Sequence, residues 1–224
     1  MNADRKLVRL FLCCFLCQIA VVSRSQEVWT TCKFKLPLHK DLQVQPEAGA
    51  RFRHDPSLES YAYLYRVGIK YEINNRWKLG STFRITDDRG KAEISTAEIP
   101  DRKRFTFDIY ADFPLKSDRS TIENRLRCQI SETKKRNYKY YIRYRFGLQY
   151  RLKKNIYTTV MNEVYVEIPD LEIPLNKTSL EFEFRITKVF GVELFYTIES
   201  NLEQESPRFN YIIGCKLEIS PFKR

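Results

Sequence analysis

The chain has no hydrophobic run long enough to cross a bilayer as a helix. Its longest, about a dozen residues near the start, falls short of the roughly 17–25 that a spanning helix needs. Mean hydropathy of -0.48 and 30% charged residues exclude a helical membrane protein. They do not exclude a transmembrane barrel, whose strands bury only alternate residues and average out as polar. Glycine and proline are scarce, at seven and nine of 224 residues, so the chain is not a low-complexity one.

Histidine occurs twice. His39 sits beside Lys40 and Asp41 in a tight turn, and His54, Asp55 and Ser57 crowd one polar connection. Three neighbours in a loop do not converge on one nucleophile geometry, so they make a connection and not a catalytic set. HExxH, GxSxG and P-loop signatures are absent. Asp87, Asp88 and Asp101 lack the spacing of a loop calcium site. Three of the six cysteines, Cys13, Cys14 and Cys17, lie in the first apolar run. The others, Cys32, Cys128 and Cys215, are odd in number and far apart, which supports neither a disulfide framework nor a metal site. The expectation is a protein that is not an enzyme and that uses no cofactor and no metal.

The start of the chain is an address. Arg5-Lys-Leu-Val-Arg9 is basic, Leu10 to Val22 is apolar, and Ser23-Arg-Ser25 places small residues at the spacing of a cleavage site. The layout predicts a signal peptide over residues 1–25, cut between Ser25 and Gln26, and a single domain over 26–224. The formal net charge of +11 includes four basic residues and one acid of this leader. Without it, 35 basic and 27 acidic residues leave +8.

After the leader, a period of two dominates. Tyr138, Tyr140, Ile142, Tyr144, Phe146, Leu148, Tyr150 and Leu152 face one way, and Lys139, Arg143, Arg145 and Arg151 the other. Ten further stretches alternate in the same manner, over 28–36, 42–53, 61–73, 77–85, 105–113, 122–130, 156–168, 180–186, 192–198 and 209–219. Pro46 lacks the N–H that a ladder needs, so its strand is expected to bulge or bend there. Residues 169–176, with two prolines, read as a loop. Short turns near 74–75, 114–119, 153–155 and 188–191 alternate with longer polar connections. That is the plan of an all-β, single up-and-down antiparallel transmembrane β-barrel of about 10–12 strands. Antiparallel closure favours an even number. The eleven signals therefore predict either ten strands, with 28–36 outside the ring, or twelve, with one more hidden in a loop.

Basic residues interleaved with aromatics first suggest a nucleic-acid surface, but their distribution argues otherwise. Arg125, Arg127, Arg143, Arg145 and Arg151 project from the polar faces of two neighbouring strands, and Glu163, Glu181, Glu183 and Glu193 from those of the next three. The apolar faces carry too many large aromatics to fit inside such a barrel, whereas lipid imposes no volume limit. Trp77, Tyr61, Tyr63, Tyr138 and Tyr157 would then stand near the membrane interfaces. The expected lumen holds a cationic wall facing an anionic one. It is either a charge-pair plug or a narrow, anion-favouring solute site. The alternatives are an outer-membrane lipid-modifying hydrolase and a soluble secreted lipocalin-like barrel. Lipid is the expected partner, nucleic acid is not, and nothing in the sequence sets an oligomeric state.

Four stretches, VWTTCKFKLPLHKDLQVQPEAGARF, YRVGIKYEINNRWKLGSTFRI, RFTFDIYADFPL and YIRYRFGLQYRLKKN, resemble the DUF2490 family of outer-membrane β-barrel proteins. The resemblance implies an outer-membrane location in Bacteroidetes-type Gram-negative bacteria and carries no activity with it. The ending Gly214-Cys-Lys-Leu-Glu-Ile219 resembles the terminal strand read by the barrel-assembly machinery, an implied partner in biogenesis. It departs from that pattern in closing on Ile219 and five further residues in place of a final aromatic.

Overall fold

A computed structural model describes residues 27–53, 60–88, 103–115, 119–132, 137–202 and 208–221. The expected cleavage site at Ser25 and Gln26, the His54, Asp55 and Ser57 group and Asp101 lie outside the described residues. The strands are β1 (Glu27–Phe34), β2 (Leu36–His39), β3 (Leu42–Arg53), β4 (Ser60–Glu72), β5 (Trp77–Asp88) and β6 (Lys103–Pro114). They continue with β7 (Ser120–Glu132), β8 (Tyr138–Lys153), β9 (Ile156–Ile168), β10 (Glu172–Arg185), β11 (Phe190–Asn201) and β12 (Arg208–Ile219). Among the described residues no helix is long and apolar enough to cross a membrane.

From β3 to β12 each strand pairs antiparallel with the next, and β1 closes the ring by pairing with both β3 and β12. β1 and β2 lie on β3 in one register, Lys33 opposite Glu47 and Leu36 opposite Val44, so together they form one stave. The barrel therefore has eleven staves, not the expected ten or twelve. The stretch at 28–36 belongs to the ring and no further strand is needed. In a meander with an odd number of strands the first and last run the same way, so the seam must be parallel. It is: Glu27 sits opposite Ile212 and Phe34 opposite Ile219, and the Lys35 N–H extends it by donating to Ile219 O at 2.8 Å. Parallel ladders are only slightly weaker per residue than antiparallel ones, which is why parity does not forbid this closure.

Two local expectations are corrected. Pro46 sits opposite Val67 with no shift in the β3–β4 register, so its own strand does not bulge there. The break falls on the other side, where the β1–β3 pairing ends at Lys33 and resumes at Leu36. Proline offers no N–H, and the ladder beside it is interrupted between β1 and β2. The loop expected over 169–176 is three residues long. Leu171 adopts φ 55° and its N–H donates to Glu167 O at 2.9 Å. β10 then begins at Glu172, with a register irregularity before Leu175 that accommodates Pro174.

Burial runs opposite to that of a water-soluble fold. On β8, Tyr144 is 49% exposed and Phe146 46%, while Arg143 between its apolar neighbours is 5% exposed. On β7, Leu126 and Ile130 are exposed, and Arg125, Arg127 and Gln129 are buried. Cys128 is exposed on the same apolar face, and Cys32, Cys128 and Cys215 are free thiols. Two groups of polar side chains on the outer face bond among themselves. Tyr144 OH donates to Asn124 Oδ1 at 2.8 Å, and Asn162 Nδ2 donates to Asn176 Oδ1 at 2.9 Å and Thr178 Oγ1 at 3.0 Å. Polar groups without water need such internal partners.

Of the expected interfacial aromatics, Trp77 is exposed and packs edge-on against Phe113, with centroids 6.3 Å apart. Tyr138 is exposed and Tyr63 half-buried, and the side chain of Tyr61 lies outside the described set. Tyr157 is a correction. It has the inward phase of β9, and its ring lies under the Arg185 guanidinium at 4.1 Å.

Candidate functional site

Eleven strands spaced about 4.8 Å apart and tilted as barrel strands are make a ring roughly 20 Å across between opposite backbones. Inward side chains fill much of that width and leave a cavity of about 240 Å³. Its lining contains eight arginines and one lysine against four glutamates.

Most charge pairs run along the wall between neighbouring strands. Arg127 grips Asp108, directly opposite in the β6–β7 ladder, through Nε at 2.5 Å and Nη2 at 3.0 Å. Arg66 pairs with Glu47, Lys177 with Glu199, and Lys216 with Glu193 at 2.9 Å. Glu163 is the exception in reach. Its Oε1 accepts from Arg125 Nη2 at 2.5 Å across the width of β8, and its Oε2 accepts from Arg143 Nη2 at 2.7 Å. Arg145 stands directly opposite Glu163 in the β8–β9 ladder. With both carboxylate oxygens engaged elsewhere, Arg145 donates to the Met161 sulfur at 3.5 Å.

Aromatic faces hold other cations. The Arg143 guanidinium lies 3.9 Å over Tyr165, and Arg51 lies 3.9 Å over Trp29. Lys177 Nζ sits between those rings, 5.4 Å from Tyr165 and 5.8 Å from Trp29. Trp29 Nε1 donates to Glu27 Oε2 at 2.7 Å, which fixes the indole plane.

Of the nine charged residues expected from sequence, Arg125, Arg127, Arg143, Arg145, Glu163, Glu181 and Glu193 line this one cavity. Arg151 and Glu183 do not. Arg151 is half-buried near the end of β8, and its N–H bonds to Arg119 O at 2.7 Å. Glu183 is half-buried and accepts from the exposed Arg185 at 2.6 Å. Among the described residues no group of His, Cys, Asp or Glu could hold a metal ion.

A family model described as "Protein of unknown function (DUF2490)" matches residues 26–210. The chain belongs to the DUF2490 family. No curated protein matches it. Among solved structures, an anion-selective porin from Comamonas acidovorans is similar, with 9% identity and a TM-score of 0.37. The match covers 77% of this chain, and the chain spans 55% of that porin's length.

The interior of this DUF2490 barrel contains residues that sequence reasoning did not single out. Arg51, Arg66, Arg84 and Arg104 come from β3 to β6 and line the same cavity. Arg51, Arg66 and Arg84 have the polar phase of the stretches at 42–53, 61–73 and 77–85, whereas Arg104 lies one residue before the stretch at 105–113. Lys177 fell between the stretch read as a loop, 169–176, and the strand expected from 180. Phe195 has the inward phase of β11 and lies over Gly214, directly opposite it in the β11–β12 ladder. A Cβ at Gly214 would overlap the Phe195 ring. Gly214→Ala is therefore expected to cost about 1–3 kcal/mol through overpacking. Gly191→Ala, where the nearest atom to an added Cβ is 3.5 Å away, serves as the near-neutral control. Urea unfolding midpoints in detergent micelles compare the two.

Proposed function

We propose that the chain is an outer-membrane β-barrel with a charge-lined lumen. Its own side chains narrow that lumen, so it acts as a solute-binding barrel or narrow channel and not as a wide diffusion pore. One observation carries the reading: large apolar side chains cover the outside of the ring while arginines, glutamates and Asp108 are buried inside it. In water such a surface would drive aggregation, whereas a bilayer solvates it. Strands of 12–16 residues in most of the ring exceed the roughly 9–11 that span a bilayer when tilted. The outer face would meet lipid along its whole girdle. The barrel-assembly machinery would insert a chain of this kind, and the reading assigns it no reaction.

Fractionation of cells that express the full chain tests this. The protein is expected in the membrane pellet after a carbonate wash, and it should migrate faster in unheated than in boiled gel samples. Release into the soluble fraction without detergent would contradict the reading.

A further inference from the structure

Nearly every charge lining the cavity is already answered within the wall. Arg125 and Arg143 share Glu163, Arg127 holds Asp108, Arg66 holds Glu47 and Lys177 holds Glu199. Glu193 accepts from Lys216, and Arg51, Arg84 and Arg104 are engaged as well. Two lining charges, one of each sign, are bonded to no opposite charge among the described residues. Arg145 donates to the Met161 sulfur, a weak acceptor. Glu181 forms no hydrogen bond or ion pair. Glu123, on the neighbouring β7, accepts from Gln149 at 3.1 Å and is not bonded to Arg145.

Register sets Arg145 and Glu181 apart but on one stretch of lumen. Arg145 stands opposite Glu163 and leans to Met161, the next inward residue of β9. Glu181 on β10 stands opposite Thr159, one inward residue further along. At about 4.8 Å between strands and about 6.6 Å per two residues, roughly 8 Å separates the backbones of Met161 and Glu181. An α-amino acid places its ammonium and carboxylate about 3 Å apart, and a charge-assisted hydrogen bond of about 2.8 Å at each end brings the span to the same scale. Both side chains are half-buried, so water and small solutes reach them. At roughly 30 Å³ per water, the cavity of about 240 Å³ has room for about eight waters or one small amino acid. Met161 beside Arg145, and Phe195 opposite Glu181, give a short apolar side chain something to touch.

Charge balance narrows the ligand further. With the rest of the lining paired, a simple anion would leave Glu181 unanswered and a simple cation would leave Arg145 so. A zwitterion answers both and adds no net charge. We propose that Arg145 and Glu181 are the two poles of a binding site for a small zwitterion, an α-amino acid with a short side chain. Its carboxylate would accept from the Arg145 guanidinium, and its ammonium would donate to the Glu181 carboxylate. The inference deepens the lumen reading and rests on it, by naming the solute class.

The test uses the full-length folded barrel in detergent micelles, with thermal unfolding followed by gel mobility and tryptophan emission. L-Alanine is compared with N-acetylalanine, which keeps the carboxylate and loses the ammonium, and with alaninamide, which does the reverse. Sodium chloride holds the ionic strength equal. Alanine at millimolar concentration is expected to raise the midpoint, and each analogue to bind about tenfold or more weakly. Arg145→Gln should weaken alanine by a similar factor yet leave alaninamide unchanged. Glu181→Gln should weaken alanine yet leave N-acetylalanine unchanged. A loss of packing alone would not sort the ligands by charge in this way. The analogue comparison needs only the unaltered chain, so it still decides if a variant does not fold. No response to alanine, a response to either analogue equal to that of alanine, or full retention of the alanine response in both variants would overturn the proposal. The membrane reading fails in fractionation and not in this titration, so the two outcomes are separable.

Discussion

Glu163→Gln is expected to destabilise the barrel by about 3–5 kcal/mol, the usual cost of removing one partner from a buried ion pair. The substitution keeps the shape of the side chain and removes the charge that neutralises two guanidinium groups at once. Arg125 and Arg143 are 9% and 5% exposed, so water cannot replace the carboxylate for either. A neighbouring glutamate gives the contrast. Glu181 lines the same cavity but makes no hydrogen bond or ion pair among the described residues, and Glu181→Gln should change stability by less than about 1 kcal/mol. Urea titrations of the two variants in micelles measure the difference. Equal effects would mean that Glu163 is not the centre of the interior charge network.

Phe146→Arg is the second large effect, and it acts on the other face of the same strand. Phe146 lies near the middle of β8, points outward and is 46% exposed. Against water, an exposed residue changed to arginine alters stability by no more than about 0.5 kcal/mol. Against hydrocarbon near the bilayer midplane, the cost is about 2–4 kcal/mol. Folding yield and unfolding midpoint in lipid vesicles should fall accordingly, while Leu38→Arg, on the exposed terminal stave at a rim turn, should be nearly silent. A Phe146→Arg barrel as stable as the parent would put water, not lipid, on that face.

Much of the architecture was legible in the chain because a period of two is a direct imprint of which face meets which solvent. All eleven alternating stretches became staves, and the polar phase of each pointed inward. Closure was not legible. Parity reasoning treats an antiparallel seam as obligatory, but the β1–β12 seam is parallel, and residue type alone carries no mark of ladder direction. Pro46 was recognised as a disruption, yet its effect appears in the partner stave between Phe34 and Leu36, because the missing donor faces that way. The start of β10 was hidden by Pro169 and Pro174, which read as a loop, and Lys177 was lost with it.

The site divides along similar lines. That arginines on β7 and β8 would sit beside glutamates followed from counting phase along the strands. That Glu163 would bind Arg125 and Arg143 and leave its direct opposite, Arg145, to a sulfur depends on which rotamers reach around β8, and that is not written in any pattern. The row of arginines on β4 to β6 follows from register, which requires the turns and bulges to be placed to the residue. The six glycines described, Gly49, Gly68, Gly80, Gly147, Gly191 and Gly214, all have the inward phase of their strands. Phe195 over Gly214 shows the consequence, the tip of a large ring occupying the space where a side chain is missing.

The inside-out polarity can be tested with the chain's own two tryptophans. Trp77 is exposed on the outer face, whereas Trp29 lies inside, against Arg51 and Phe195. In vesicles containing brominated lipid, the Trp29→Phe variant, which emits only from Trp77, is expected to be strongly quenched. The Trp77→Phe variant, which emits only from Trp29, should keep its emission. Quenching of Trp29 equal to that of Trp77, or no quenching of either, would contradict a barrel with its apolar face in lipid and its charges within.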